Sequence, residues 1–125
     1  MNIESFALLV LLFVKHFVFD FVTQVPYYYL NKGKYMHPGG IMHATEHALG
    51  TSVVVFGMTG NIHLMTVTGI VDFVIHYHVD WAKTYIEHDM RLSNNDPRYW
   101  LLFGLDQMVH SLTYVFIVFW VYSAR

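Results

Sequence analysis

The chain reads as an all-α integral membrane protein, a four-helix bundle of up-down-up-down topology with a metal site in its core. Three observations predict this. The 125 residues are 55% hydrophobic and only 13% charged, whereas a soluble domain carries about 25% charged residues. Four apolar stretches each approach the roughly 20 residues that cross a bilayer. Each stretch also carries two histidine or aspartate residues spaced i,i+4: His16/Asp20, His43/His47, His76/Asp80 and Asp106/His110. Residues four apart share one helix face, and such groups are costly in hydrocarbon unless they are paired or ligate a metal.

The first helix is expected over residues 3–24, stopping before Pro26. Glu4 is its only charge before Lys15 and no small-residue cleavage site follows, so it reads as a retained span rather than a signal peptide. A polar, aromatic connection over 27–40 contains Asn31, Lys32, Lys34 and the turn-forming run His37-Pro38-Gly39-Gly40. The second helix is expected over 41–58, ending in a short turn over 57–61, and the third over 62–86. A charged loop over 87–96 follows. Asp96-Pro97 is an N-cap with proline at the first helical position, opening a fourth helix over 98–122. All of 1–125 forms one domain.

Basic residues orient the spans. Lys32, Lys34, Lys83, Arg91 and Arg98 fall at the first and third connections, and only Arg125 and the terminal amine fall at the other side. The positive-inside rule puts those connections in the cytoplasm and both termini outside, in the inner membrane. Tyr27, Tyr28, Tyr29, Tyr35, Tyr85, Tyr99 and Trp100 then form an inner aromatic belt, with Trp120 and Tyr122 in the outer one.

In that topology all four pairs lie at the cytoplasmic end, in two layers. Asp20, His43, Asp80 and Asp106 form the shallower layer, and His16, His47, His76 and His110 the deeper one. At about 1.5 Å rise per residue the layers are about 6 Å apart, roughly 5–15 Å below the helix ends. The chain has no cysteine, so any metal is held by nitrogen and oxygen. Eight ligands exceed the needs of one tetrahedral zinc and suit two divalent transition ions, zinc or manganese, with iron as an alternative. The plainer reading is a polar network that holds helices together. Haem is disfavoured, because a carboxylate stacks beside each prospective axial histidine.

Asp72 extends the third-helix stripe, either supporting a ligating histidine or making an internal ion pair. Lys83 lies three residues beyond Asp80, at the mouth of the site, to bind an anion or to reach the headgroups. Gln24 continues the His16/Asp20 stripe, to polarise a substrate or cap the helix. Glu46, three residues from His43, is a further ligand, a general base or a helix contact. Gln107 is less clearly inward. Lys15 is expected to point away and reach the interface, and His37, His63, His78 and His88 are expected at interfaces. Ser111 has no catalytic partner. The net charge of −2 speaks against nucleic acid.

The motifs His16-x3-Asp20-Phe21-x2-Gln24, Lys32 or Lys34, His43-x3-His47, His76-x3-Asp80-x2-Lys83 and Asp106-Gln107-x2-His110 resemble a family of small bacterial and phage integral membrane proteins, a domain of unknown function. More distantly they are similar to membrane-bound metal-dependent hydrolases. That second resemblance implies hydrolysis of a phosphoester or acyl bond by metal-activated water. Asp72 or Glu46 would then shuttle the proton, and Lys83 and Gln24 would bind a small-molecule or lipid-linked substrate among the membrane lipids. A di-iron oxidoreductase and a non-enzymatic metal-binding protein for transport, sensing or host interaction are the alternatives. The oligomeric state stays open.

Overall fold

The computed structural model describes residues 2–123; Arg125, counted above for orientation, lies outside them. Every regular element among the described residues is helical: α1 (Ile3–Phe17), a π-helical segment (Val18–Val22), α2 (Pro26–Tyr29), α3 (Pro38–Thr59), α4 (Ile62–Asp89) and α5 (Pro97–Ser123).

Local chemistry sets the boundaries. Asn2 caps α1 by accepting from the Ser5 amide at 2.8 Å. The helix expected to run on to residue 24 changes register at Val18, where the Thr23 amide bonds the Val18 carbonyl five residues back at 2.9 Å. A π turn carries one residue more than an α turn, so it re-aims the side chains beyond it, and such turns often lie at functional sites. Here it re-aims Asp20.

The run His37-Pro38-Gly39-Gly40, expected as a turn, instead starts α3 three residues early. His37 is the N-cap, its Nδ1 accepting from the Gly39 amide at 3.0 Å, and Pro38 takes the first helical position, which needs no amide. The connection before it contains the one-turn helix α2, which the sequence reading placed in an irregular stretch. Asn61 caps α4 through the amides of His63 and Leu64, and Asp96 caps α5 by accepting from the Arg98 amide at 2.9 Å, as expected. Gly60 closes α3 at φ 63°, in the left-handed region that glycine adopts freely.

α1 packs on α3 and on α5, α3 on α4, and α4 on α5. One end of the enclosed space is apolar, filled by Leu8, Leu12, Val55, Leu64, Ile117 and Val121. The other holds the histidines and aspartates. Large apolar side chains such as Phe6, Val53, Ile70, Leu112 and Phe119 face outward, a surface suited to acyl chains rather than water.

Three helices are long and apolar enough to cross a membrane: α1 with its π extension, α4 and α5. The sequence reading expected four. α3 falls short because His43, Thr45, Glu46, His47, Thr51 and Ser52 interrupt its apolar run; His43, His47 and Thr51 among these are buried within the fold.

Candidate metal centre

The four i,i+4 pairs meet inside the fold. The Asp20 Oδ1 lies 3.1 Å from His43 Nε2, 3.1 Å from His47 Nε2 and 3.8 Å from His76 Nε2. Its Oδ2 lies 3.2 Å from His16 Nε2. Asp80 faces the other side of the cluster: Oδ2 is 3.3 Å from His43 Nε2 and 3.6 Å from His76 Nε2, and Oδ1 is 3.2 Å from His110 Nε2. The His76 ring is stacked between those of His47 and His110, with centroids 3.6 and 4.1 Å away.

Two groupings have donor atoms close enough together to hold a metal ion: Asp20, His43, His47 and His76, and His76, Asp80 and His110. His16 and Asp106 stand at the edge of the cluster. The His16 Nδ1 is 3.1 Å from the Tyr114 hydroxyl and its Nε2 is 3.1 Å from Gln107 Oε1. Asp106 accepts from Gln107 Nε2 at 3.1 Å, and its Oδ1 is 3.4 Å from His110 Nε2.

Hydrogen bonding leaves part of this cluster unsatisfied. Neither ring nitrogen of His76 has a hydrogen-bond partner, nor does His47 Nε2 or His43 Nδ1. A buried polar atom without a partner costs about 1–3 kcal/mol. His47 Nε2 and His76 Nε2, on fully buried rings, lie 3.1 to 3.8 Å from the carboxylate oxygens of Asp20 and Asp80; a cation would satisfy them, so the residues present fit a metal.

Beneath the cluster lies a buried ion pair whose lysine the sequence reading placed elsewhere. Lys15, expected to point away, is buried instead. Its Nζ donates to Asp72 Oδ2 at 2.9 Å, to the Tyr114 hydroxyl at 3.0 Å and to the His47 carbonyl at 3.1 Å, and lies 3.4 Å from His47 Nδ1. Three donors thus meet three near acceptors. α1 touches α3 on one side and α5 on the other, so its buried arc is wide enough for both Lys15 and His16. Asp72 also accepts from Thr51 and contacts no ligating imidazole. Of the two roles open to it, the structure shows the internal ion pair.

Above the cluster, the segment after α2 crosses the site. Lys32 reaches down so that its Nζ lies 2.9 Å from Asp80 Oδ2. Burial works against its charge, but Asp80 and then Asp20 more than offset this, so its pKa stands above the usual lysine value. Tyr28 donates to Glu46 at 2.6 Å, which holds Glu46 in a helix contact away from the cluster.

A cleft of about 290 Å³ leads from the surface to Asp20 and Asp106, with Lys32, Lys83, Gln24 and Gln107 on its walls. Lys83 pairs with Glu87 at 2.9 Å. Gln24 donates to the Asp20 carbonyl at 2.7 Å, as a helix cap does. His88 also lines the cleft, whereas His63 is exposed and His78 bonds its own helix at the Val74 carbonyl. Ser111 donates to the Gln107 carbonyl. Tyr114 was not named by the sequence reading and Lys15 was placed elsewhere, while Lys32 and Gln107 were named in the resemblance motifs without a role, because these residues meet the site through contacts distant in sequence.

No curated protein and no solved structure matches this chain. A match over residues 8–125 to the family described as protein of unknown function (DUF3307) covers all four i,i+4 pairs, and the chain belongs to that family.

Proposed function

We propose that this chain is a membrane-embedded, metal-dependent hydrolase. In this reading an up-down-up-down four-helix bundle holds two divalent transition ions, zinc or manganese, near the cytoplasmic face of the inner membrane. The observation that carries it is the convergence of His43, His47 and His76 on one oxygen of Asp20, with buried ring nitrogens left unsatisfied, at the end of an open cleft.

Charge balance supports it. Around the cluster, the carboxylates of Asp20, Asp72, Asp80 and Asp106 face the ammonium groups of Lys15 and Lys32. With neutral imidazoles two negative charges remain, and uncompensated buried charge is strongly disfavoured. One divalent cation balances them. A second leaves two positive charges, which a hydroxide together with a singly charged substrate, or a doubly charged substrate alone, balances.

His43, His47, His76 and Asp20 would hold one ion, and Asp80 and His110, sharing His76, the other. Divalent ions supply Lewis-acid polarisation of a phosphoryl or acyl group and a nucleophile at neutral pH. The chain does the rest. Gln107 and Tyr114 fix the His16 ring, and Lys15 holds the His47 backbone. Asp106, which lines the cleft and whose Oδ1 accepts no hydrogen bond, takes up the proton in place of Asp72 and Glu46, whose carboxylates are engaged elsewhere. Lys32 and Lys83 present ammonium groups to an anion, and Gln24 borders its path.

Ion transport is the weaker reading, because Lys15 and the apolar layer of Leu8, Leu12, Val55 and Ile117 lie beyond the cluster. Elemental analysis of detergent-purified protein, beside His47→Ala and Asp106→Ala, tests the centre. About two zinc, manganese or iron atoms per chain are expected, with His47→Ala losing about one of them. Phosphoester hydrolysis by the loaded protein, abolished in Asp106→Ala, tests the activity. A folded, metal-free wild type would sink the reading and leave a helix-packing network.

A further inference from the structure

We infer that the cleft takes a membrane-borne amphiphile with a phosphate-type anionic head group, which reaches the centre sideways from the bilayer. Binding of the head group rests on the metal-loaded centre proposed above, whose cations offset the carboxylates of Asp20 and Asp106 on the cleft; what then happens to it rests on the hydrolase reading.

Size comes first. At about 290 Å³ the cleft sits at the foot of the roughly 300–1,000 Å³ range of small-molecule sites. It has room for a head group and none for acyl chains, so a chain attached to the ligand must lie outside.

Charge comes second. Lys32 and Lys83 both line the cleft. Each is tethered through one close carboxylate contact, to Asp80 and Glu87 at 2.9 Å, and an ammonium has three donors. Lys83 also lies over the rings of Tyr99 and Phe103, 6.0 and 5.6 Å from their centroids, which holds it on the wall. Both lysines thus keep hydrogen-bonding capacity for an anion that sits against Asp106 and the ion-binding groups.

The third observation is the route. The wall between the π segment and α5 is built of Phe21 and Phe103, with ring centroids 6.4 Å apart. Phe21 stacks on Phe17 at 5.8 Å, and Phe103 meets Trp100 edge-on at 6.2 Å. Phe17, Phe21 and Trp100 are each more than half exposed. Four rings therefore run without a break from the cleft wall to the outer surface of α1 and α5, two of the elements apolar enough to cross the membrane. Trp100 donates its indole N–H to the Asn94 carbonyl at 2.9 Å, as befits a ring at the headgroup level. An acyl chain laid along this strip places its head group between the two lysines.

The test separates binding from turnover. Protein with Trp81→Phe and Trp120→Phe, leaving Trp100 as its one indole, is reconstituted in phosphatidylcholine vesicles. Brominated phosphatidate at a few mole per cent is expected to quench Trp100 several-fold more than brominated phosphatidylcholine at the same level. The excess should disappear in Lys83→Met, survive in Lys83→Arg, and survive in Lys34→Met, whose ammonium binds Asn31 instead. Equal quenching by the two lipids, or an excess unchanged in Lys83→Met, overturns the inference. Should Lys83→Met not fold, relief of quenching by unlabelled phosphatidate supports the inference, and equal relief by phosphatidylcholine overturns it. Complete relief by millimolar inorganic phosphate assigns the cleft to a free anion and also overturns it. Phosphate release is followed separately: binding without release fails the hydrolase reading alone, and release from a soluble phosphomonoester without the quenching excess fails this inference alone.

Discussion

The Lys15 ammonium lies 2.9 Å from the Asp72 carboxylate, and both side chains are at most 5% exposed. The pair joins α1 to α4 at the boundary between the apolar layer and the histidine cluster.

Breaking this pair is expected to be severe. Lys15→Met leaves the buried Asp72 carboxylate with the Thr51 hydroxyl as its partner, and removing one partner of a buried pair costs about 3–5 kcal/mol. Thermal melting in detergent should show a large drop for Lys15→Met and substantial recovery in Lys15→Met/Asp72→Leu. A single variant that melts like the wild type would show that the pair contributes nothing to stability.

The two ion groupings share His76, which leads to an ordered set of metal losses. His76→Ala should lower bound metal more than His47→Ala or His110→Ala, because it removes a donor from both groupings at once. His78→Ala, on a ring bonded to its own helix, should leave the content unchanged. Elemental analysis on folded protein checks the order, and an equal loss in all four variants would argue against specific ligation.

Tyr114 supports the site without joining either grouping. Its hydroxyl bonds both Lys15 and His16 Nδ1, so Tyr114→Phe removes one atom from two contacts and leaves the ring in place. Tyr114 acts through His16, whose Nε2 lies 3.2 Å from Asp20 Oδ2, so its loss should weaken metal affinity by less than the about 10–100-fold seen for a direct partner of a ligand. Competition with a chelator of known affinity measures this, and an unchanged affinity would restrict Tyr114 to packing.

Gly39 tests the segment over the cleft. A Cβ there would lie 2.7 Å from the Tyr27 backbone carbonyl, which cannot swing aside as a side chain does. Gly39→Ala should push α2 away from α3 and destabilise the fold by about 1–3 kcal/mol. It should also speed proteolysis between Tyr29 and Met36. Limited proteolysis read by mass spectrometry checks this against Gly57→Ala, where a Cβ meets nothing within 4 Å.

The residues that spacing could find were those whose position on a helix is set by their own neighbours in sequence. His16, Asp20, His43, His47, His76, Asp80, Asp106 and His110 were legible because i,i+4 spacing puts both members of a pair on one face, whatever that face packs against. The helical class and the cap at Asp96 were legible for the same local reasons. The apolar character of α3 was overread: its buried polar residues interrupt the run that a bilayer span needs.

Tertiary structure decided which faces met and how wide each buried arc became. Lys15 turned inward because α1 has neighbours on two sides, so a residue adjacent to His16 is enclosed with it. Lys32, Gln107 and Tyr114 joined the site across 48, 91 and 98 positions of sequence, separations that no local pattern encodes. The π turn at Val18–Val22 aimed Asp20 at three histidines of two other helices. Periodicity determines which side chains of one helix stand together, while the contents of a shared interior depend on packing between helices.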